Sequence, residues 1–373
     1  MNKLIPKLTI DNLQVEMPII QGGMGVGISL SGLASAVANE GGIGVISSVG
    51  IGLLEPDFQS NLKQANQRAL RSEIRKAKQR TNGVIGVNVM VAVSDFEEMV
   101  QIAVEEEVDV LLLGAGLVLK LPKAIKSDNL GKMKTKIIPI VSSDRAAKLI
   151  FNSWDRKFNY VPDAVVVEGP LAGGHLGFKM EQIDNPEFCL EKIVPSVING
   201  LEYYRQKYGK QIPVIAAGGI YTGEDIYKFL ELGAKGVQMG TRFVATNECD
   251  ASYEFKQAYL NCKVQDIKII KSPLGLLGRA IENSFLKDVA KGEKKPYFCP
   301  WRCLKVCDCN NAPYCIGEAL KNAKLGLLEK GFAFAGANAF RIEKIQSVKE
   351  LFAELVREYS EKLRSLIKQP ELV

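Results

Sequence analysis

Eight short runs of apolar, mostly β-branched residues recur along the chain, each followed by a helix-length segment, and this rhythm leaves few folds open. The runs begin at Met17 (MPIIQ), Gly42 (GIGVIS), Val84 (VIGVNV), Val108 (VDVLLLG), Lys136 (KIIPIV), Asp163 (DAVVVEG), Ile212 (IPVIAAGG) and Gly236 (GVQMGT). Nearly every position in them is apolar, the pattern of parallel strands buried on both faces. The segments between show helical periodicity: Phe96, Met99, Val100, Ala103 and Val104 form one stripe, and Ile226, Phe229 and Leu230 another, with Gly233 at a helix C-terminus. Most runs start 24 to 28 residues apart, one βα unit each. The two longer intervals, from Gly42 to Val84 and from Asp163 to Ile212, predict extra loop or helix. Eight βα units in about 260 residues predict an α/β fold, a (β/α)8 TIM barrel. A doubly wound open sheet is the alternative.

The rhythm stops after residue 262. Residues 263–345 are rich in Gly, Pro, Lys and Cys and predict a small appended cap. Residues 346–373 predict a closing helix with an apolar stripe through Val348, Leu351, Phe352, Leu355, Val356, Tyr359, Leu363 and Leu366. The basic stretch from Arg68 to Arg80 reads as a solvated helix face.

Charge and hydropathy narrow the partners. A net charge of +6 from 48 basic and 42 acidic residues is modest and unclustered, so nucleic acid is not expected. The longest apolar stretch, Val110 to Leu119, is interrupted by Gly114 and Gly116 and is far short of the ~20 residues a membrane helix needs. The first 12 residues contain no apolar signal core, which predicts a cytoplasmic protein acting on a small-molecule substrate. Of eight cysteines, Cys299, Cys303, Cys307, Cys309 and Cys315 fall close together. In a reducing compartment they suggest a metal site, a reactive thiol or packing. Their spacing matches neither the paired knuckles of zinc sites nor ferredoxins.

The 34 glycines gather after the predicted strands, on the face where barrel active sites lie. Strand 1 is followed by Gln21-Gly22-Gly23-Met24-Gly25-Val26-Gly27 and strand 6 by Gly169-Pro170-Leu171-Ala172-Gly173-Gly174-His175-Leu176-Gly177. Strand 7 ends in Gly218-Gly219-Ile220, and strand 8 in Gln238-Met239-Gly240-Thr241. Glycine turns after strands 7 and 8, each opening a helix, would make a phosphate cradle of free N–H groups and helix dipole. Otherwise they only satisfy tight turns. Neither a G-x-G-x-x-G fingerprint nor a Walker loop is present, so the phosphate would belong to a mononucleotide-type cofactor or a phosphorylated substrate. Asn88 ends strand 3 as either a partner for the uracil-like edge of a flavin or a capping amide. Glu168 ends strand 6 and would accept from a ribityl hydroxyl or pair with a lysine. His175 is the chain's one histidine, in a glycine loop on the catalytic face, suited to proton abstraction or to binding an anionic substrate.

Four motifs carry a family resemblance: Pro18-Ile19-Ile20-Gln21-Gly22-Gly23-Met24, Ala172-Gly173-Gly174-His175-Leu176-Gly177, Ala217-Gly218-Gly219-Ile220 and Gln238-Met239-Gly240-Thr241-Arg242-Phe243. In this order, over about residues 14 to 345, the chain resembles the nitronate monooxygenase (2-nitropropane dioxygenase) family, which includes flavin-dependent enoyl-acyl-carrier-protein reductase II. The resemblance implies an FMN-binding TIM barrel with a small second domain. Gln21, Gly22, Gly23 and Met24 would then line the isoalloxazine, with Asn88 bonded to it and Glu168 beside it. Gly173, Gly218, Gly219, Gln238, Met239, Gly240 and Thr241 would surround the ribityl phosphate chain, and His175 would be the active-site base. One departure is Leu171, where the family usually has an acidic residue two positions before the paired glycines. The other is the cysteine-rich segment.

The function expected is therefore an FMN-dependent oxidoreductase that oxidises alkyl nitronates with O2, with His175 as base or substrate-positioning residue. The alternatives are an NAD(P)H-dependent enoyl-acyl-carrier-protein reductase, which would meet an acidic carrier through the basic segment Lys287 to Lys295, and an NAD(P)H:quinone reductase. A redox-silent phosphate-binding isomerase or lyase is the reading from another class. A homodimer is compatible with each.

Overall fold

In a computed structural model of the chain, all eight runs become strands of one closed barrel. The structure describes residues 5–295, 297, 299 and 301–367. In chain order the strands are β1 (Leu8–Ile10), β2 (Leu13–Val15), β3 (Ile19–Gln21), β4 (Ile43–Ser47), β5 (Val84–Met90), β6 (Val110–Gly114), β7 (Lys136–Val141), β8 (Val165–Glu168), β9 (Gly174–Leu176), β10 (Val214–Ala217), β11 (Gly236–Met239), β12 (Ile267–Lys271) and β13 (Leu277–Ile281). The barrel runs β3-β4-β5-β6-β7-β8-β10-β11 and closes where β11 pairs in parallel with β3, Met239 opposite Gln21. An open sheet would leave two edges. This one leaves none, so the fold is a TIM barrel.

The strand pleat sorts each run into two faces. Ile20, Val45, Leu112, Ile138, Val166 and Ile215 fill the barrel interior. Their neighbours Ile19, Ile46, Leu111, Ile137, Val165 and Val214 pack outward against the helices. The β1–β2 hairpin adds Leu8, Ile10 and Val15 to the interior layer and closes the N-terminal end. Below it, buried Lys136 bonds Asp11 at 2.7 Å. Sequence periodicity does not reveal this plug, whose strands are only three residues long.

Both long intervals hold the extra structure expected of them. Helix Phe58–Arg80 follows β4, and β9 with helices Leu190–Gly200 and Glu202–Tyr208 follows β8. The basic face of Phe58–Arg80 is partly paired, since Arg71 and Arg75 bond Glu106 at 2.6 and 2.7 Å. The closing helix, Val348–Ile367, buries Leu351, Phe352, Leu355 and Tyr359. It can approach because Gly223 has no side chain: a Cβ there would stand 2.0 Å from Leu355 O.

The segment after residue 262 is tied into the barrel through an antiparallel sheet, order β12-β13-β9. Gly278 of β13 faces His175 of β9, and Arg279 faces Gly174. His175 therefore sits on a strand, not in the loop its glycine neighbours predict. The partner that makes β9 a strand lies about a hundred residues downstream, beyond the reach of local propensity.

Candidate active site

Carrying the interior pleat one step further builds the floor of a cavity at the C-terminal mouth of the barrel. The inward positions there are Gly22, Ser47, Asn88, Gly114, Ile140, Glu168 and Gln238, which share one cavity of about 590 Å³. Gly23, Met24, Gly173, His175, Gly218, Gly219, Met239, Gly240 and Thr241 line the same space. Gln21 does not. It faces outward, fully buried, accepting from Val45 N at 3.0 Å and donating to Gly22 O at 2.5 Å. Its carboxamide thereby links β3 to β4, which otherwise pair only at Ile20 and Ile43.

Glycine is required where the wall is thinnest. A Cβ on Gly23 would lie 2.4 Å from Asn88 Cβ, so the Asn88 amide stands directly over Gly23. Gln238 stands over Gly22 in the same way, at 3.4 Å. Gln238 Oε1 and Ser47 Oγ are both buried with no hydrogen-bond partner among the described residues. Buried polar atoms are rarely left so. A ligand with polar edges entering this cavity would satisfy both.

The anion cradle differs from expectation in one respect. Helix Gly223–Glu231 already has its N-terminal amides occupied: Thr222 Oγ1 accepts from Asp225 N, Asp225 Oδ2 from Tyr221 N and Thr222 N, and Glu358 Oε2 from Gly223 N. Its dipole faces these side chains, not a ligand. The amides of Gly218, Gly219, Gly240 and Thr241 find no acceptor among the described residues. Gly218 and Gly219 hold φ of 94° and 85°, a left-handed conformation that favours glycine.

Two titratable groups shift in opposite directions for one reason. Glu168 has no hydrogen-bond or ion-pair partner among the described residues, no lysine included, and burial pushes its carboxyl up to about 7. Burial lowers His175 to about 4. Each is driven towards its neutral form. His175 Nε2 lies 2.9 Å from Ser272 Oγ, and its ring centroid is 5.0 Å from that of Phe334. Arg279, 5% exposed, donates to the carbonyls of Pro170 and Ala172 and so braces the turn that leads into β9. Leu171 lies on the cavity rim against Gly219 and leaves that rim apolar.

Several lining residues escaped sequence reasoning. Ser47, Asp95, Phe334 and Asn338 all face the cavity. Asn338 donates to Gly219 O at 2.6 Å, and Gly336 N to Thr241 Oγ1 at 3.0 Å, so residues 334–338 lie over the cradle. The small-residue run Ala335-Gly336-Ala337-Asn338 was the available signal, but its sequence distance from the barrel concealed it. Among the described residues, no helix is long and apolar enough to cross a membrane.

Comparison with known proteins gives a consistent picture. The sequence profile of a family described as nitronate monooxygenase matches residues 7–358. A probable nitronate monooxygenase of Staphylococcus aureus is 29% identical over 311 residues, 75% of this chain and 79% of that protein. A (3aS,4S,5R,7aS)-5-hydroxy-7a-methyl-1-oxo-octahydro-1H-indene-4-carboxyl-CoA dehydrogenase of Rhodococcus jostii is 29% identical over 278 residues, 74% of this chain and 65% of that protein. Among solved structures, FabK from Thermotoga maritima superposes with a TM-score of 0.73 at 29% identity, covering 95% of this chain and 96% of that one.

Proposed function

The chain belongs to the nitronate monooxygenase family, and from that membership we propose that it is an FMN-dependent oxidoreductase that oxidises alkyl nitronates with O2. The observation that carries the cofactor assignment is the pair of buried, unpartnered atoms, Gln238 Oε1 and Ser47 Oγ, in a cavity walled by Gly22 and Gly23. Bound FMN would supply the two-electron acceptor that nitronate oxidation needs, with O2 as terminal oxidant. Gln238, Asn88 and Ser47 would bond the polar edge of the ring, and the glycines let the ring lie against the backbone. The amides of Gly218, Gly219, Gly240 and Thr241 would hold the phosphate.

His175 serves in this reading as a positioning group. With its imidazole held to about 4, it is neutral at pH 7 and a weak base. A nitronate arrives already deprotonated, so no carbon acid has to be opened, and a neutral imidazole suffices to orient its oxygens. Glu168, near 7, would exchange a proton with the solvent or the bound ring edge at physiological pH.

A second reading rests on a separate observation. Leu53, Leu62, Val93, Leu304 and Leu320 extend the cavity into an apolar arm that a small nitronate would not fill. That arm, with the likeness to FabK, supports an NAD(P)H-dependent reductase of an enoyl thioester. Part of its expected carrier-docking charge is already spoken for, since Lys295 pairs with Asp288 at 3.0 Å and Glu293 at 3.4 Å. Anaerobic reduction of the yellow protein by propyl nitronate, compared with NADH and NADPH, separates the two readings.

A further inference from the structure

One buried carboxyl in the cavity wall has no part in the chemistry above. Asp95 is the N-cap residue of helix Phe96–Glu105, yet its side chain does not cap that helix. A short polar side chain at an N-cap ordinarily accepts from the first-turn amides. Ser143, Thr222, Ser252 and Asn283 all do so at their own helices. The Asp95 carboxyl turns instead to helix Phe58–Arg80, where Asn66 Nδ2 donates to its Oδ2 at 2.7 Å.

Asn66 is fixed in that task by the backbone. Its Oδ1 accepts from Gly52 N at 2.7 Å, and an N–H can only donate, so the amide must present its own N–H to Asp95. Gly52 comes this close because it has no side chain: a Cβ there would stand 2.3 Å from Asn66 N. Both Asn66 and Asp95 are more than nine-tenths buried, at 5% and 6% exposure. Beyond Asn66 and its own backbone amide, the Asp95 carboxyl has no hydrogen-bond partner among the described residues. Lys63, the nearest cation acting on it, is paired with Glu98 at 3.8 Å.

The surroundings are the apolar arm of the cavity. Leu62 lies one helical turn before Asn66, Leu53 follows Gly52, and Val93 lies two residues before Asp95 and bridges to Leu304. Leu53, Leu62, Val93, Leu304, Asn66 and Asp95 all line the one cavity. Burial in this setting raises the carboxyl above its ordinary value, and the Asn66 bond offsets that only in part. A carboxyl so placed is costly unless a ligand completes its hydrogen bonds. Among the described residues no group of His, Cys, Asp or Glu side chains is arranged to hold a metal ion, so the missing partner is an organic donor. An ammonium would add its own large desolvation penalty inside an apolar arm. A hydroxyl adds far less, and a carboxyl oxygen accepts from it in either protonation state.

We propose that Asp95 is a specificity-determining residue that accepts a hydrogen bond from a hydroxyl carried on the apolar body of the substrate, with Asn66 as its positioning residue. The substrates are then hydroxyalkyl compounds, not plain alkyl ones. This rests on the reading of the cavity as the substrate site in the function proposed above.

The test measures binding apart from turnover. Octan-1-ol and its methyl ether, which lacks the donor, are titrated into the full chain as purified, with isothermal calorimetry as the readout. Wild type should bind the alcohol about tenfold more tightly than the ether, and Asp95→Ala should bind the two alike. Equal affinities in wild type, or an undiminished preference in Asp95→Ala, would overturn the assignment. Should Asp95→Ala fail to fold by circular dichroism, Asp95→Asn keeps the side chain's shape and should cut the preference to about threefold, since an amide is a weaker acceptor than a carboxylate. An unchanged preference in that variant would also overturn it. Oxidation of octyl nitronate and 8-hydroxyoctyl nitronate is then compared. A chain that prefers the alcohol but oxidises neither nitronate supports the Asp95 assignment and removes the nitronate reading. A chain that oxidises both with equal kcat/KM and shows no alcohol preference removes the Asp95 assignment alone.

Discussion

His175 Nε2 is held 2.9 Å from Ser272 Oγ across a sheet that joins segments 97 residues apart in the chain. His175 stands on β9, and Ser272 begins the turn from β12 to β13, where its Oγ also accepts from Leu274 N at 3.2 Å. The orientation of the imidazole is therefore set by a turn in the appended segment and not by the barrel.

Ser272→Ala should leave the imidazole free to rotate while the cofactor cradle stays intact. One hydrogen bond of about 1 kcal/mol corresponds to a roughly fivefold fall in kcat/KM for a nitronate. Flavin content per chain should not change. Steady-state kinetics with flavin absorbance check both halves, and a fall in flavin content would show that the turn supports the cradle instead.

The opposite shifts of His175 and Glu168 give a pH signature. For His175, lowered from 6.5 to about 4, the unfolded chain binds the extra proton between those values, so its contribution to stability is complete above 6.5 and lost as pH falls towards 4. In the flavin-free protein, His175→Gln should remove that slope and destabilise less than wild type between pH 7 and pH 5. The full effect is about 3 kcal/mol at most. Urea unfolding at the two pH values measures it, and an unchanged slope contradicts a buried neutral imidazole.

For Glu168, raised from 4.5 to about 7, the folded chain binds the extra proton, so stability falls as pH rises through that window. Glu168→Gln should accordingly stabilise the flavin-free protein at pH 8 by up to about 3 kcal/mol, with little gain at pH 4.5. The same denaturation series checks this, and equal stabilisation at both pH values would place the carboxyl in a solvated setting.

Gly23→Ala should empty the site. Its Cβ would stand 2.4 Å from Asn88 Cβ, and an overlap of that size displaces the amide or the strand end at a cost of about 1–3 kcal/mol. Flavin titration should show at least a tenfold weaker Kd for FMN, with secondary structure retained by circular dichroism. Wild-type affinity would mean that the Asn88 amide is not used.

The barrel was legible because parallel strands buried on both faces leave continuous apolar runs, and all eight runs from Met17 to Gly236 became strands. The glycine-rich strand ends were equally legible, and Gly218 and Gly219 do adopt left-handed backbone. What escaped was set by distant partners. β9 becomes a strand only against β13, Ser272 meets His175 from the appended segment, and Asn338 reaches the cavity from it. Gln21, adjacent to the glycines, looked like part of the wall, but the strand pleat turns it outward to Val45. The helix opened by Gly223 promised a dipole for the phosphate, but its own capping box and Glu358 occupy those amides.

The central claim is tested most directly by stopped-flow reduction of the purified protein without oxygen, followed through the flavin absorbance. The account predicts a yellow protein that propyl nitronate bleaches rapidly without nicotinamide, and whose rate in a Glu168→Gln background shows no inflection near pH 6.5 because His175 is already neutral there. A protein inert to nitronate and bleached at once by NADH or NADPH would contradict it, and a colourless protein that binds no added FMN would contradict the cofactor assignment as well.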